Sequence, residues 1–332
     1  MKKAAFWALL AALLTFSGCG SRVQKYTDQR FELFDTVIIV TAYCQSQEDF
    51  DALAGAAFDE FARLHNLFDT HNDTGEGLSR LNALAGQGPI EVEPEVFGLL
   101  ETGKDGYMLT HGKVNIAMGA VLRLWDEARE AALENAESAA IPAMGDLRTA
   151  EQHCDIDNLI LDAQAGTAEL RDAQMSIDVG AVAKGYAVDL VAQQLRELGY
   201  TDFVLSAGGN VWAEGSPPNA EGWRVGVQSP EESAELLTTL TVSDCAVVTS
   251  GGYLRYFTVG DETYHHIIDP DTLMPSDGVL SATVVCASSA TADLLSTACF
   301  MLPAEQGQAL AAETEGVKLI ILDKQGQLIE TP

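Results

Sequence analysis

Hydrophobic positions recur along this chain with two periods, and each period predicts its own kind of element. Between Asp49 and Leu67, the residues Phe50, Leu53, Phe58, Phe61 and Leu64 fall at helical spacing and so share one face of a helix. Further helices are expected over Val96–Leu109, Val182–Leu198, Ala292–Leu302 and Ala304–Glu313. Residues 120–152, rich in Ala and Glu, predict a solvent-facing helix and a loop. The β-branched run Thr36–Tyr43 predicts a strand. Short strands are expected over Leu159–Leu161, Ala168–Leu170, Met175–Ile177, Phe203–Ser206, Trp223–Gln228, Leu236–Val242, Ala246–Thr249, Tyr264–Ile268 and Leu280–Cys286. A final hairpin runs from Leu319 to Ile329 around Lys324-Gln325-Gly326. Strands in runs and helices in runs predict an α+β fold, with mixed or antiparallel sheets flanked by helices, rather than a doubly wound sheet.

The N-terminus follows a different pattern. Lys2 and Lys3 precede an unbroken apolar run, Ala4 to Leu14, which is too short to span a bilayer and has the length of a signal-peptide core. Ser17, Gly18 and Cys19 follow, and they resemble the lipobox of bacterial lipoproteins, with Phe16 where Leu is more usual. Residues 1–18 are therefore expected to be a signal peptide and 19–29 a polar tether acylated at Cys19. Residues 30–332 are read as one domain. The protein would be extracytoplasmic, held by lipid on the outer face of the membrane or in the periplasm.

Composition narrows the function. With 47% hydrophobic and 20% charged residues over 332 positions, the chain can bury a real core. A net charge of −30 excludes nucleic-acid binding through a broad basic face. Beyond Cys19 there are Cys44, Cys154, Cys245, Cys286 and Cys299, an odd number with no C-x-x-C, so no disulfide scaffold is expected.

Four segments could carry chemistry. Asp178-Val-Gly-Ala-Val-Ala-Lys-Gly-Tyr186 reads as a tight turn that opens a helix. Helix N-termini suit anions, yet Lys184 puts a cation where the dipole prefers a carboxylate; a plain turn with an extended lysine fits equally well. Ser206-Ala-Gly-Gly-Asn-Val211 allows close approach to a ligand, or simply a turn between strands. In Tyr264-His-His-Ile-Ile-Asp-Pro270, neighbouring strand side chains point apart, so His265 and His266 cannot both hold one metal. Asp293 and Thr297 lie one helical turn apart and offer two hard oxygens suited to Mg²⁺, or else Thr291 or Asp293 is an N-cap.

Taken together and in this order, these segments resemble the ApbE family of FAD:protein FMN transferases. Asp178 to Tyr186, Gly208-Gly209-Asn210, the Thr249-Ser250…Arg255-Tyr-Phe257 segment, His265-His266-Ile-Ile-Asp-Pro270 and Ala292-Asp293-x-x-Ser-Thr297 all match its motifs. Gly77-Leu-Ser-Arg-Leu-Asn82 and Leu122–Trp125 are similar to two earlier ones. The resemblance implies a T-fold-like core and transfer of FMN from FAD to a Thr or Ser of an acceptor flavoprotein, with release of AMP. It implies Mg²⁺ held by the Ala181 carbonyl, Asp293 and Thr297, with Asp293, Thr297 and Lys184 catalytic. Asp178, Lys184, His266 and Ile267 would line the FAD site, together with Phe34 and His71. Its usual acceptors belong to membrane redox complexes. Three departures fall on the FAD side: Phe34-Asp35-Thr36 for Met-Gly-Thr, His71 for Tyr or Trp, and Val114-Asn-Ile-Ala117 for Phe-Asp-Pro-Thr. They keep open two alternatives, a FAD-binding lipoprotein without catalysis and a FAD pyrophosphatase.

Overall fold

A computed structural model describes residues 23–70, 72, 74–230, 236–253 and 255–331. Its centre is an eight-stranded sheet. The strands are β1 (Gln24–Leu33), β2 (Thr36–Cys44), β3 (Phe203–Ala207), β4 (Asn210–Glu214), β5 (Cys245–Gly251), β6 (Ser281–Cys286), β7 (Lys318–Leu322) and β8 (Leu328–Glu330). Each strand pairs antiparallel with the next in chain order. The sheet is thus a meander with long insertions, and the insertions carry the helices. Between β2 and β3 come α1 (Gln47–Phe68), α2 (Gly77–Ala83), α3 (Pro94–Leu109), α4 (Gly119–Glu134), α5 (Met144–Glu151) and α6 (Ala183–Glu197); between β6 and β7 come α7 (Ser289–Met301) and α8 (Ala304–Ala312). The α+β architecture with antiparallel sheets is as the sequence predicts.

Helices α1, α6 and α7 pack against the sheet. The spacing that predicts α1 puts Phe50, Leu53, Phe61 and Leu64 into the core, where Val191 and Leu195 of α6 and Leu295 of α7 join Ile38, Val40, Leu205 and Val284. Each such side chain contributes about 1.5–3 kcal/mol by leaving water. A smaller cluster gathers Met118, Val121, Trp125, Leu147, Phe257, Ile268 and Leu273 around α4. It is keyed by Trp125, whose Nε1–H donates to the Leu273 carbonyl at 3.0 Å and whose ring stacks on Tyr264.

Gly208-Gly209 forms the turn between strands that the sequence allowed, joining β3 to β4. Three expectations change. Residues 24–29 are strand, not tether: β1 pairs with β2 from Gln24↔Cys44 onward. Met175–Ile177 forms no ladder beyond a single bridge, Met118↔Ser176. The Tyr264–Ile268 strand is split, with Glu262–His265 pairing Tyr256–Val259 and Ile268–Asp269 pairing Met274–Pro275. The signal peptide and Cys19 lie outside the described residues, as does His71. Among the described residues no helix is long and apolar enough to cross a membrane, and Cys44, Cys154, Cys245, Cys286 and Cys299 are free thiols.

Candidate active cleft

Turns far apart in sequence line one open cleft of about 1050 Å³. Phe34, Asp178, Ala181, Lys184, His266, Ile267, Asp293 and Thr297 all belong to its wall, alongside Gly208, Gly209 and Asn210. The junction of α6 and α7 forms its floor. Helix α6 begins without a side-chain cap from Val182. The missing acceptor comes from α7, where Oδ2 of Asp293 accepts the Gly185 N–H at 2.9 Å. That N–H is one of the first-turn donors a helix leaves without an intrahelical partner, and Ala181, just before the helix, lies on the cleft wall. Lys184 reaches back to the Gly180 carbonyl at 3.1 Å and lies 3.7 Å from Asp293 Oδ2. Its cation at a helix N-terminus is thus balanced by a carboxylate that is 3% exposed.

The N-cap alternative for Asp293 and Thr291 is overturned. Helix α7 starts at Ser289, and Ser288 Oγ accepts the Thr291 N–H at 3.2 Å. Asp293 therefore sits more than a turn inside the helix, with Thr297 one turn further on. Thr297 Oγ1 lies 3.3 Å from Ser250 Oγ, which is 2.9 Å from Ser296 Oγ. Gly185 has to be glycine: a Cβ there would lie 2.4 Å from the Ser289 carbonyl oxygen.

Asp178 is carried by a segment that side chains hold in place. Asn82 donates from Nδ2 to the Ile177 carbonyl at 2.9 Å and accepts the Ile177 N–H on Oδ1 at 2.7 Å. The Asp178 N–H then donates to Ile116 O at 2.8 Å, and Asp178 Oδ1 accepts the Gly180 N–H at 2.9 Å. Sequence reasoning matched the Asn82 motif but gave that residue no task. It likewise matched Asn210, which is fully buried and accepts the Ser289 hydroxyl, without giving it a task, and it overlooked Asp189 on α6. The signal for Asn210 was a polar residue directly after two glycines that turn a buried hairpin.

The two histidines divide their work. His265 Nε2–H donates to Ser276 O at 3.0 Å while Nδ1 accepts the Ile267 N–H, and its ring meets Phe300 edge-on. It is structural. His266 opens onto the cleft, so water reaches it although protein surrounds most of the ring. Desolvation, then the Arg255 guanidinium, pull its imidazole down to about 3. The Arg255 side chain also donates to the Asp35 carbonyl at 2.9 Å, tying the β1–β2 turn to the opposite lip. In that turn Phe34 and Asp35 have φ of 52° and 50°, the left-handed region in which Asp is tolerated and glycine is at ease. Phe34 packs on Phe61, His65 and Phe68. At the Val114–Ala117 departure, Asn115 Oδ1 accepts the Ala117 N–H at 2.9 Å and Nδ2 donates to Cys154 O, so this wall remains ordered.

The ApbE family model matches residues 34–321, nearly the whole of the described domain. The chain belongs to the ApbE family. Among the relatives of this ApbE-family chain are the FAD:protein FMN transferase of Treponema pallidum, 31% identical over 95% of this chain and 89% of that protein, and one from Klebsiella pneumoniae, 31% identical over 84% of each. The crystal structure of the ApbE protein of Thermotoga maritima superposes with a TM-score of 0.81 at 26% identity, covering 93% of this chain and 97% of the other. The flavin transferase ApbE of Vibrio cholerae does so at 0.79 and 23% identity, over 93% and 97%, a likeness of fold.

The cleft of this ApbE-family chain suits a hard cation. Its wall carries Lys113, Arg129, Lys184 and Arg255 against Glu32, Asp35, Asp69, Asp126, Glu130, Asp178 and Asp293, so a phosphate entering it meets excess negative charge. One carboxylate, one alcohol and one main-chain carbonyl are the kinds of donor Mg²⁺ prefers. Burial pushes the Asp293 carboxyl up, opposed by Lys184, the Gly185 N–H and Asn210; a cation would relieve that cost. Asn210 Nδ2 is buried beside it without completing a hydrogen bond. No group of three His, Cys, Asp or Glu suited to a metal occurs among the described residues. A cation here would rely on neutral oxygens and on the substrate's own phosphates.

Proposed function

We propose that this chain is a Mg²⁺-dependent FAD:protein FMN transferase, lipid-anchored through Cys19 on the outer face of the cell membrane. The acceptor hydroxyl of a Thr or Ser attacks the FMN phosphorus and releases its proton to solvent, a P–O bond forms, the pyrophosphate bond breaks, and AMP leaves with the bridging oxygen. The acceptor is a flavoprotein of a membrane redox complex. The observation that carries this reading is the meeting of Asp293, Thr297 and Ala181 on one cleft wall. The names of the curated relatives support the same chemistry.

Asp293, Thr297 and Ala181 O would hold Mg²⁺. When bound, Mg²⁺ supplies charge neutralisation at the diphosphate and stabilises the leaving group. The N-terminus of α6 and the Lys184 ammonium attract the same anion. Asp178, with Oδ1 already engaged by Gly180, presents its other oxygen to sugar or ribityl hydroxyls. Ile267 and Phe34 give the flavin apolar surface. His266, neutral at pH 7, keeps a ring nitrogen available for a hydrogen bond.

Incubation of the mature protein with FAD, Mg²⁺ and an acceptor flavoprotein domain should leave a fluorescent flavin band on a denaturing gel. Asp293→Ala should reduce that transfer at least about 100-fold, because it removes the one charged ligand. No band with several acceptors would reject the proposal, and AMP plus free FMN formed without any acceptor would replace transfer with hydrolysis.

A further inference from the structure

Helices α6 and α7 exchange their capping carboxylates. Asp293 of α7 accepts the Gly185 N–H at the start of α6. In return Asp189 of α6 accepts the Ser289 and Ala290 N–H groups at the start of α7, at 2.8 and 3.0 Å, and the Ser288 hydroxyl at 3.0 Å. The spacing is the same on both sides, with Asp189 four residues after Gly185 and Asp293 four residues after Ser289. Each helix therefore carries the other's cap on the turn after its own. The close contact at Gly185 leaves no room for one helix to slide on the other.

Asp189 is absent from the cleft wall and touches no substrate there. Its three donors fix how α7 is rotated about its axis at the first turn, and one turn later that rotation decides where the Asp293 carboxylate points. Ser289 adds a second link, since its hydroxyl donates to Asn210, the buried amide beside Asp293. The geometry points to Asp189 as a positioning residue that aims Asp293 into the cleft through this reciprocal clasp. Nothing in the site's direct contacts assigns it that part. The inference rests on reading Asp293 as the charged ligand of a divalent cation. Residues that orient a metal ligand from behind change metal affinity about 10–100-fold when replaced.

The test uses the full mature chain with Asp189→Asn, which keeps the volume and removes the charge. Without FAD, Mn²⁺ affinity read from the electron paramagnetic resonance of the free ion should weaken about 10-fold. Without metal, amide exchange across residues 182–190, read by mass spectrometry, should quicken about 10-fold as the Gly185 N–H loses its partner. A folded Asp189→Asn protein with unchanged exchange overturns the inference. Faster exchange in a protein whose wild type binds no Mn²⁺ upholds the clasp and overturns the metal reading instead. Should Asp189→Asn fail to fold, Ser288→Ala removes one of the three donors: a loss of Mn²⁺ affinity of about 3-fold supports the inference, and an unchanged affinity overturns it.

Discussion

His266 faces an open cleft and still stays uncharged. Desolvation penalises the imidazolium, Arg255 repels it, and Lys184 adds to the repulsion from the cleft floor. Its Nδ1 lies 3.3 Å from the Arg255 carbonyl, which places the proton there and leaves Nε2 as the acceptor. The folded value, about 3, lies below the ordinary 6.5. The unfolded chain therefore takes up a proton first as the solution is acidified. The contribution of this residue to stability is complete above about pH 6.5 and is lost as pH falls toward about 3. A ring-selective NMR titration should show no protonation step for His266 between about pH 8 and about pH 5; a step near the ordinary value would mean that the cleft does not desolvate it. His265 is lowered as well, by burial, and both of its nitrogens are engaged.

Elements were legible in the sequence where their partners are other regular elements. Helix α1 announced itself because its apolar face meets the sheet, and the final hairpin because a glycine turn separates two apolar runs. Strand β1 did not, because Gln24–Leu33 is an edge strand with mostly exposed side chains and so carries no alternation. Met175–Ile177 looked like a strand for the opposite reason: Met175 and Ile177 are buried, yet the pairing of Ile177 goes to the side chain of Asn82 rather than to another strand. No pattern of types along the chain reveals a partner 95 residues away. The same holds for the candidate site. The Asp293 and Thr297 pair was readable from spacing, whereas the capping of α6 by Asp293 required the fold. Asn82→Ala should leave the peptide groups of Ile177 without partners and cost about 2 kcal/mol in urea unfolding. Because that segment carries Asp178 and Ala181, FAD binding measured by flavin fluorescence should weaken in the still-folded variant.

At the scale of the molecule, two apolar clusters flank the cleft, the larger between helices and sheet and the smaller around Trp125. Lys113 joins them from the cleft wall, donating to Asp269 at 2.9 Å and Asp271 at 2.7 Å. The net charge of −30 repels an anionic bilayer, and the attachment proposed above is a lipid on Cys19. Cys19→Ser should move the protein from the membrane pellet to the soluble fraction after cell fractionation, while transfer to an acceptor in solution stays intact. A pelleted Cys19→Ser protein would remove lipidation as the anchor.

The early start of β1 would give the proposed anchor at Cys19 a short leash. Only four residues separate Cys19 from Gln24, and the five steps between them, fully stretched, reach about 18 Å. The ten residues of β1 then run about 33 Å to the cleft lip at Phe34. An enzyme moored as proposed would sweep a shell no deeper than about 50 Å above the lipid. Only the proposed acceptor hydroxyls presented within that shell would then be modified, so height above the bilayer would select targets as surely as the sequence around them.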